Sequence, residues 1–201
     1  MNLKKIIFLI LGLFFLNSCM DATAFLGPAI TVGTSGNVYQ AGLSYGSNQL
    51  VKETKIFDAG CGTGLVGIEL KKYDYLNIDG ADLSKKLLDL VPKGYYKKLE
   101  QVDLNKPINT ENNLYDAVMC VGTFTFGHVR PHALDEFIRI TKNKGLICFT
   151  INEGIYEKYG FDKKIKELSN NNHWEMKDFF KSDYIASKNV NAWLGVAEVS
   201  K

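Results

Sequence analysis

Three aspartates stand where each could contact a bound small molecule. Asp58 opens the glycine-rich segment DAGCGTG, Asp82 lies 22 residues after Gly60, and Asp103 lies in QVDL. Each lies at or just after the end of a segment that the sequence predicts to be a β-strand. Carboxylates accept hydrogen bonds from hydroxyl, amino and ammonium groups, and they repel phosphate. Three of them after three successive strands therefore favour a cationic ligand that carries hydroxyl groups.

The glycines between residues 58 and 64 indicate a ligand-binding loop. Gly60, Gly62 and Gly64 alternate with small residues directly after the apolar run. Glycine lets a backbone approach a ligand closely and adopt positive φ angles. The spacing differs from the G-x-G-x-x-G of dinucleotide-binding loops, which hold a pyrophosphate at a helix N-terminus. Because Asp58 would repel a pyrophosphate, the loop favours S-adenosylmethionine, which has an ammonium group, a sulfonium group and no phosphate.

Strands and helices alternate from Lys52 onward, and this order predicts how the aspartates are brought together. The predicted strands are KIFDAG, YLNIDGAD, YYKKLEQVD, YDAVMCVG, LICFTI, HWEMKDFF and NAWLGVAEV. The predicted helices are GLVGIELKK, KKLLDLV after an N-cap at Ser84, residues 130–145 and residues 156–172. The alternation predicts an α/β fold: a doubly wound, Rossmann-like sheet of about seven strands, with an antiparallel last strand and helices on both faces. Ligands of such sheets bind beyond the carboxyl ends of the strands.

The successive motifs of this region resemble those of a known family. IFDAGCGTGLVG, IDGADLS, VDLN and YDAV are similar, in order, to the motifs of class I S-adenosylmethionine-dependent methyltransferases. GTFTFGHVRPHALDEFIRITKNKGLICFTI, with YEKYGFDKKIKEL after it, resembles the Williams–Beuren-region methyltransferase-like subgroup. The resemblance covers about residues 52–201. It implies methyl transfer from S-adenosylmethionine to an acceptor that it does not identify, which we expect to be a small molecule.

The cofactor-binding positions that the resemblance implies lie at or just after the ends of the first four predicted strands. They are Asp58, Gly60, Cys61, Gly62, Asp82, Leu83, Asp103, Leu104, Val121 and Gly122. The first four would line the methionine part of the cofactor. The next four would contact the ribose and the adenine, and the last two would close the pocket.

Few catalytic groups are expected, because methyl transfer is an in-line displacement at an already activated carbon. Proximity and alignment can then contribute roughly 7–11 kcal/mol. A base is needed only when the acceptor must lose a proton, and the candidate is His128 in GTFTFGHV. The alternative is a loop histidine that bonds to the backbone. Thr123, Thr125 and Phe126 are candidates for shaping the acceptor pocket.

The first nineteen residues are typical of an export signal. Lys4 and Lys5 precede an apolar run at residues 6–16, which is too short to span a bilayer as a helix and suits a secretory signal. The run ends in Leu-Asn-Ser-Cys, which resembles a bacterial lipobox and implies lipidation of Cys19. We therefore divide the chain into a lipoprotein-like signal at 1–19, an uncharged Gly/Ser/Ala linker or weak helix at 20–51, and a methyltransferase domain at 52–201.

Three functions and three locations stay open from the sequence. Besides a methyltransferase, the chain could be a nicotinamide-dependent oxidoreductase, which Asp58 argues against, or a non-catalytic membrane lipoprotein with a decayed cofactor domain. The replacement of the family's N-terminal covering helices favours the last of these. The three locations are an exported, membrane-anchored lipoprotein, a membrane-anchored protein whose domain stays in the cytoplasm, and a soluble cytoplasmic enzyme translated from Met20. Export conflicts with the cytoplasmic origin of S-adenosylmethionine.

Composition excludes several other classes of protein. The net charge is +2 and the lysines are spread along the chain, so no nucleic-acid partner is expected. The four cysteines show neither a disulfide framework nor a metal-ligand spacing, and we expect no metal. Cys120 and Cys148 lie in apolar runs and are expected to be buried thiols.

Overall fold

The structure is a computed structural model, and it describes residues 53–185 and 190–201. The predictions that concern residues 1–52, including Cys19, Met20 and the linker, lie outside the described residues. The strands are β1 Lys55–Ala59, β2 Asn77–Asp82, β3 Lys98–Gln101, β4 Tyr115–Phe124, β5 Thr141–Asn152, β6 Trp174–Ile185 and β7 Val190–Val199. The helices are α1 Leu65–Lys71, α2 Lys85–Leu88, α3 Ala133–Ile140, α4 Glu153–Tyr156 and α5 Phe161–Asn170.

The seven strands form one mixed sheet in the order β3-β2-β1-β4-β5-β7-β6. Neighbours from β3 to β5 pair in parallel, whereas β7 runs antiparallel to both β5 and β6. This arrangement confirms the predicted Rossmann-like α/β fold with an antiparallel last strand. The chain reverses its direction of strand addition between β1 and β4, and ligands of such sheets bind at that point.

Two apolar layers hold the helices against the two faces of the sheet. Phe57 belongs to the layer that includes the buried side chains of α3 and α5, whereas its neighbour Ile56 belongs to the layer that includes those of α1. The alternation follows from the two-residue period of a strand. Asp58 shares the α1 face with Ile56, so a carboxylate is placed within an otherwise apolar layer.

The boundaries of the two longest predicted helices were wrong. The helix predicted at 130–145 ends at Ile140, because Thr141 has an extended backbone and begins β5, and Gly145 lies within that strand. The helix predicted at 156–172 is divided, since Gly160 adopts a left-handed conformation with φ of 81° and α5 begins after it. A β-branched residue and a left-handed glycine override the helical periodicity here.

Candidate active site

The glycine loop after β1 is fastened to the end of β2. The N–H groups of Gly60 and Cys61 both donate to the carbonyl of Ala81, at 2.7 and 2.9 Å. The N–H of Gly62 donates to Oδ2 of Asp82 at 2.9 Å. Gly60 and Gly62 have φ angles of 77° and 54°, in the region that favours glycine. The predicted loop therefore forms, and one of the predicted ligand-binding carboxylates holds it.

Asp82 also keeps capacity for a ligand. Its Oδ1 accepts from the N–H of Ser84 at 2.8 Å, so each carboxylate oxygen has one backbone donor. An ionised carboxylate offers about four acceptor sites. Two of these sites remain for hydroxyl groups of a bound molecule, as the ribose prediction requires.

Asp58 is buried, and half of its carboxylate lacks a partner. Its side chain is 1% exposed, and Oδ2 accepts from the Tyr96 hydroxyl at 2.6 Å. Oδ1 has no hydrogen-bond partner among the described residues. Burial raises the pKa of Asp58 to about 7, the Tyr96 hydrogen bond opposes that rise, and the Asp82 charge adds to it. An unpaired buried oxygen is costly, so it is a position for a donor that a ligand brings.

Tyr96 is a site residue that the sequence analysis missed. Its hydroxyl donates to Asp58 and accepts from the N–H of Gly67 at 3.0 Å. A Cβ atom on Gly67 would lie 2.4 Å from the tyrosine ring, and one on Gly80 would lie 2.8 Å from it. A glycine inside a helix and another inside a strand can indicate the close approach of a bulky neighbour, and this was the available signal.

The end of β4 supports the glycine loop from its other side. Gly122 has φ of 77°, its N–H donates to Oγ1 of Thr150 at 2.8 Å, and the pairing of β4 with β5 shifts register here. The next residue, Thr123, donates from Oγ1 to the carbonyls of Ala59 and Gly60, at 3.2 and 3.3 Å. A Cβ on Gly60 would lie 2.0 Å from that oxygen, so Thr123 fixes the loop in place.

The candidate base lies in the exposed loop after β4. His128 Nδ1 lies 2.5 Å from Oγ1 of Thr125, so the histidine side chain is paired with a hydroxyl rather than with the backbone. Phe126 is 52% exposed and packs edge-on against Tyr159. These residues follow β4 at the carboxyl edge of the parallel strands, where the acceptor pocket is predicted.

The predicted adenine-binding residues are placed less uniformly. Leu83 is 63% exposed at the open edge, whereas Leu104 is 4% exposed and packs in the core. Asp103 accepts from the N–H of Asn105 at 3.0 Å, and this bond is the main cause that lowers its pKa. Asp103 thus stabilises its own turn, and its second oxygen lies 3.6 Å from Lys106 Nζ.

Cys120 and Cys148 are buried, as the sequence predicted. Cys61, Cys120 and Cys148 are free and buried. Burial, with the charges of Asp58 and Asp82, raises the pKa of Cys61, so its thiol is a poor nucleophile. Val121 is likewise buried, beside the open edge.

Within residues 53–185 and 190–201, no three His, Cys, Asp or Glu side chains are grouped to hold a metal ion. None of the helices in these same ranges is long and apolar enough to cross a membrane.

The site's residues fit S-adenosylmethionine. The buried, unpaired oxygen of Asp58 suits an ammonium group, and Asp82 has acceptor sites for ribose hydroxyls. Apart from its two chain neighbours, none of the described residues has an atom within 4 Å of a Cβ built on Gly62, which leaves room for a ligand above the loop. A phosphate group at the same place would be repelled by the carboxylates of Asp58 and Asp82.

Comparisons with known proteins agree with this geometry. Residues 56–145 match a family model described as a methyltransferase domain. A human relative, Methyltransferase-like protein 27, is 31% identical over 125 residues, which are 60% of this chain and 51% of the relative. The chain thus spans about half the length of that relative.

Solved structures show the same fold at low identity. A Listeria monocytogenes protein assigned to the S-adenosylmethionine dependent methyltransferases has a TM-score of 0.61 at 13% identity, covering 80% of this chain and all of its own. A Mesorhizobium loti methyltransferase of that type has a TM-score of 0.59 at 13% identity, with coverages of 77% and 97%. The Synechocystis magnesium protoporphyrin IX methyltransferase, solved with the cofactor bound, has 0.55 at 16% identity, with coverages of 84% and 86%.

At such identities the structural similarity shows the fold, while the family model contributes the sequence match. The described chain has the fold of S-adenosylmethionine-dependent methyltransferases, and residues 56–145 match the methyltransferase domain family.

Proposed function

We propose that this protein transfers a methyl group from S-adenosylmethionine to a small-molecule acceptor at the carboxyl edge of β1, β2 and β4. The observation that carries the proposal is the buried Asp58 oxygen without a partner beside the glycine loop. The cofactor's ammonium group would supply the missing donor. When bound, the cofactor also supplies a methyl carbon that its sulfonium activates.

The chain's own residues would bind and orient the cofactor. Asp58 would pair with the ammonium group, the backbone of Gly60, Cys61 and Gly62 would contact the methionine part, and Asp82 would accept from the ribose. Leu83 would cover the adenine, because its side chain is exposed at the carboxyl edge of the sheet, directly after Asp82. The remaining predicted positions would complete the adenine and methyl ends of the pocket: Asp103, Leu104, Val121 and Gly122. Leu104 would act through its backbone, since its side chain is in the core.

The acceptor would bind beside the loop after β4. Thr123, Thr125 and Phe126 would shape this side, and His128 would take a proton when the acceptor must lose one. The Thr125 hydroxyl at Nδ1 orients the imidazole for that role. The sequence resemblance to the Williams–Beuren-region subgroup supports a methyltransferase, and so does the match to a human methyltransferase-like protein, but neither identifies the acceptor.

Calorimetric titration of the full chain tests the cofactor assignment. S-adenosylmethionine and S-adenosylhomocysteine should bind at a 1:1 ratio, and NAD should not. Binding of NAD alone would favour the oxidoreductase instead. Incubation with methyl-labelled S-adenosylmethionine and fractionated cell metabolites then tests transfer. Cofactor binding without transfer to any fraction would favour the non-catalytic lipoprotein.

The location of the protein is a separate proposal that rests on the sequence of residues 4–19 alone. We propose that the chain is anchored to the membrane as a lipoprotein through Cys19; an exported domain would meet little S-adenosylmethionine, so this location competes with methyl transfer in the cytoplasm. Mass spectrometry of the protein from native membranes tests this, because lipidation adds a diacylglyceryl thioether to Cys19. An intact Met1, or a chain that begins at Met20, would contradict it.

A further inference from the structure

Tyr96 joins three elements around the Asp58 carboxylate. It lies between α2 and β3, its hydroxyl donates to Oδ2 of Asp58 at 2.6 Å, and it accepts from the N–H of Gly67 in α1 at 3.0 Å. Its ring fills the space that Gly67 and Gly80 leave open. The function proposed so far gives this residue no part.

We propose that Tyr96 is a positioning residue that holds Oδ2 of Asp58, so that Oδ1 stays directed to the ammonium group of the cofactor. The inference rests on the proposed function, because it concerns the same site. Tyr96 touches neither the transferred methyl group nor the acceptor in this assignment. It acts through Asp58.

The geometry explains why one oxygen is held and the other is left free. A carboxylate in an apolar layer turns toward whatever donors surround it. Tyr96 cannot follow such a turn, because its ring is confined at Gly67 and Gly80 and its hydroxyl is bonded to helix α1. The rotation of Asp58 is therefore fixed before the cofactor arrives, which lowers the cost of binding.

The charges around Asp58 make this hydrogen bond decisive. The titratable groups that face Asp58 are Tyr96, Asp82, Cys61 and Cys120. None of these is a cation, and Asp82 disfavours the ionised form. The Tyr96 bond opposes the rise in the pKa of Asp58 that burial causes. Burial and Asp58 raise the pKa of Tyr96 itself, so the hydroxyl keeps its proton as donor.

The pH dependence of cofactor affinity tests the proposal in the variant Tyr96→Phe. Without the hydroxyl, the pKa of Asp58 should rise further above neutral pH. The affinity of the full chain for S-adenosylmethionine should then fall about fivefold at pH 7 and recover to within about twofold of wild type at pH 9. The ligand's own amine titrates equally in the wild-type and variant measurements. The ratio of variant to wild-type affinity at each pH therefore reports on Asp58 alone.

A second variant approaches the same contact from the helix. Gly67→Ala places a methyl group 2.4 Å from the Tyr96 ring, so it displaces the hydroxyl while both Tyr96 and Asp58 remain. Alanine favours the helical backbone at this position, which protects the fold. We expect the same loss at pH 7 and recovery at pH 9. Tyr95→Phe is the matched control, because that ring packs on Lys71 and should change neither affinity nor its pH dependence.

The outcomes separate this inference from the proposed function. If wild type does not bind S-adenosylmethionine at any pH, the proposed function fails and Tyr96 has no ligand to serve. If wild type binds, and both variants match it at pH 7 or lose the same factor at pH 7 and pH 9, the positioning role is wrong. A uniform loss is the signature of a merely structural tyrosine.

Discussion

Two buried aspartate–tyrosine pairs lie on neighbouring strands of this sheet, and only one of them has a cation. Asp79 in β2 accepts from the Tyr115 hydroxyl at 3.1 Å, and Lys55 Nζ lies 3.5 Å from the same carboxylate. Asp58 in β1 accepts from the Tyr96 hydroxyl. Among the described residues, none of the groups that shift the pKa of Asp58 is a cation. Within the described residues, one pair is thus complete and the other lacks a counter-charge.

The difference identifies a site rather than a defect of packing. A buried carboxylate without a counter-charge destabilises a fold, and proteins keep such groups at functional positions. The incomplete pair lies at the carboxyl end of β1, beside the glycine loop, where this fold binds its ligands. The complete pair lies closer to the opposite edge, since Lys55 begins β1. The comparison therefore predicts opposite responses when the two carboxylates are neutralised.

The largest effect is expected from Asp58→Asn. Folding raises the pKa of this carboxyl from 3.8 to about 7, so Asp58 favours folding below its unfolded pKa and loses that contribution as the pH rises through 7. The asparagine is neutral throughout and can still accept from Tyr96. Urea unfolding should show the variant about 2–4 kcal/mol more stable than wild type at pH 8.5, and nearly equal at pH 4.

Asp79→Asn is the matched control for that result. Asparagine keeps an acceptor for Tyr115 but loses the attraction of Lys55, so the free energy of unfolding at pH 8.5 should fall by about 1 kcal/mol. Stabilisation in both variants would show that the two pairs are equivalent and would remove the argument for a missing cation.

The same neutralisation should weaken cofactor binding. Asp58→Asn and Asp82→Ala each remove a charge-assisted hydrogen bond of about 1.5–3 kcal/mol, so the affinity for S-adenosylhomocysteine should fall at least roughly tenfold at pH 8.5. Asp82→Ala also frees the N–H groups of Gly62 and Ser84, and it should lower stability where Asp58→Asn raises it. Calorimetric titration checks both affinities. Unchanged affinity in either variant would contradict that residue's assignment.

Alanine substitutions at two glycines should have smaller effects, and they separate backbone strain from contact with the ligand. Gly62 and Gly160 both have positive φ, and in the described part of the chain only their own neighbours in sequence lie within 4 Å of a Cβ built on them. Alanine should cost about 1–2 kcal/mol of unfolding free energy at each position. Only Gly62→Ala should also lower cofactor affinity, by about tenfold, because its methyl group points into the ligand's space. Equal affinities in the two variants would exclude the loop from the site.

The sequence predicted the sheet well because its signals are local. Apolar runs that end in Asp58 and Asp82, followed by glycine or an N-cap, mark strand ends wherever they lie in the fold. The two wrong helix boundaries arose where single residues overrode a periodic pattern. Thr141 belongs to a strand through its pairing with Tyr115 in β4, which is 26 positions away and leaves no mark in the local sequence.

The site was predicted only as far as its aspartates and glycines. Tyr96 was missed because its role depends on a contact across 38 positions with Asp58. The same holds for Thr123, whose hydroxyl reaches the glycine loop across 63 positions. Leu104 had the expected spacing, yet its side chain packs in the core. Spacing fixes which strand a residue follows, whereas the direction of its side chain depends on the packing of the loop.

The smallest expected effect comes from making the complete pair resemble the incomplete one. Lys55→Met removes the cation beside Asp79 and keeps an apolar stem over the Tyr115 ring. Because the lysine side chain is 30% exposed, water screens much of the attraction, and the free energy of unfolding should fall by only about 0.5–1 kcal/mol. Lys142→Met is the control, since its pair with Asp116 is more exposed and should contribute less.

High salt should narrow the difference in unfolding free energy between wild type and Lys55→Met, as urea unfolding measures it. Cofactor affinity should stay unchanged in both variants, because Lys55 begins β1 and the glycine loop follows its other end. A loss of affinity in Lys55→Met would mean that the two pairs act on one site, and the contrast between them would no longer locate it.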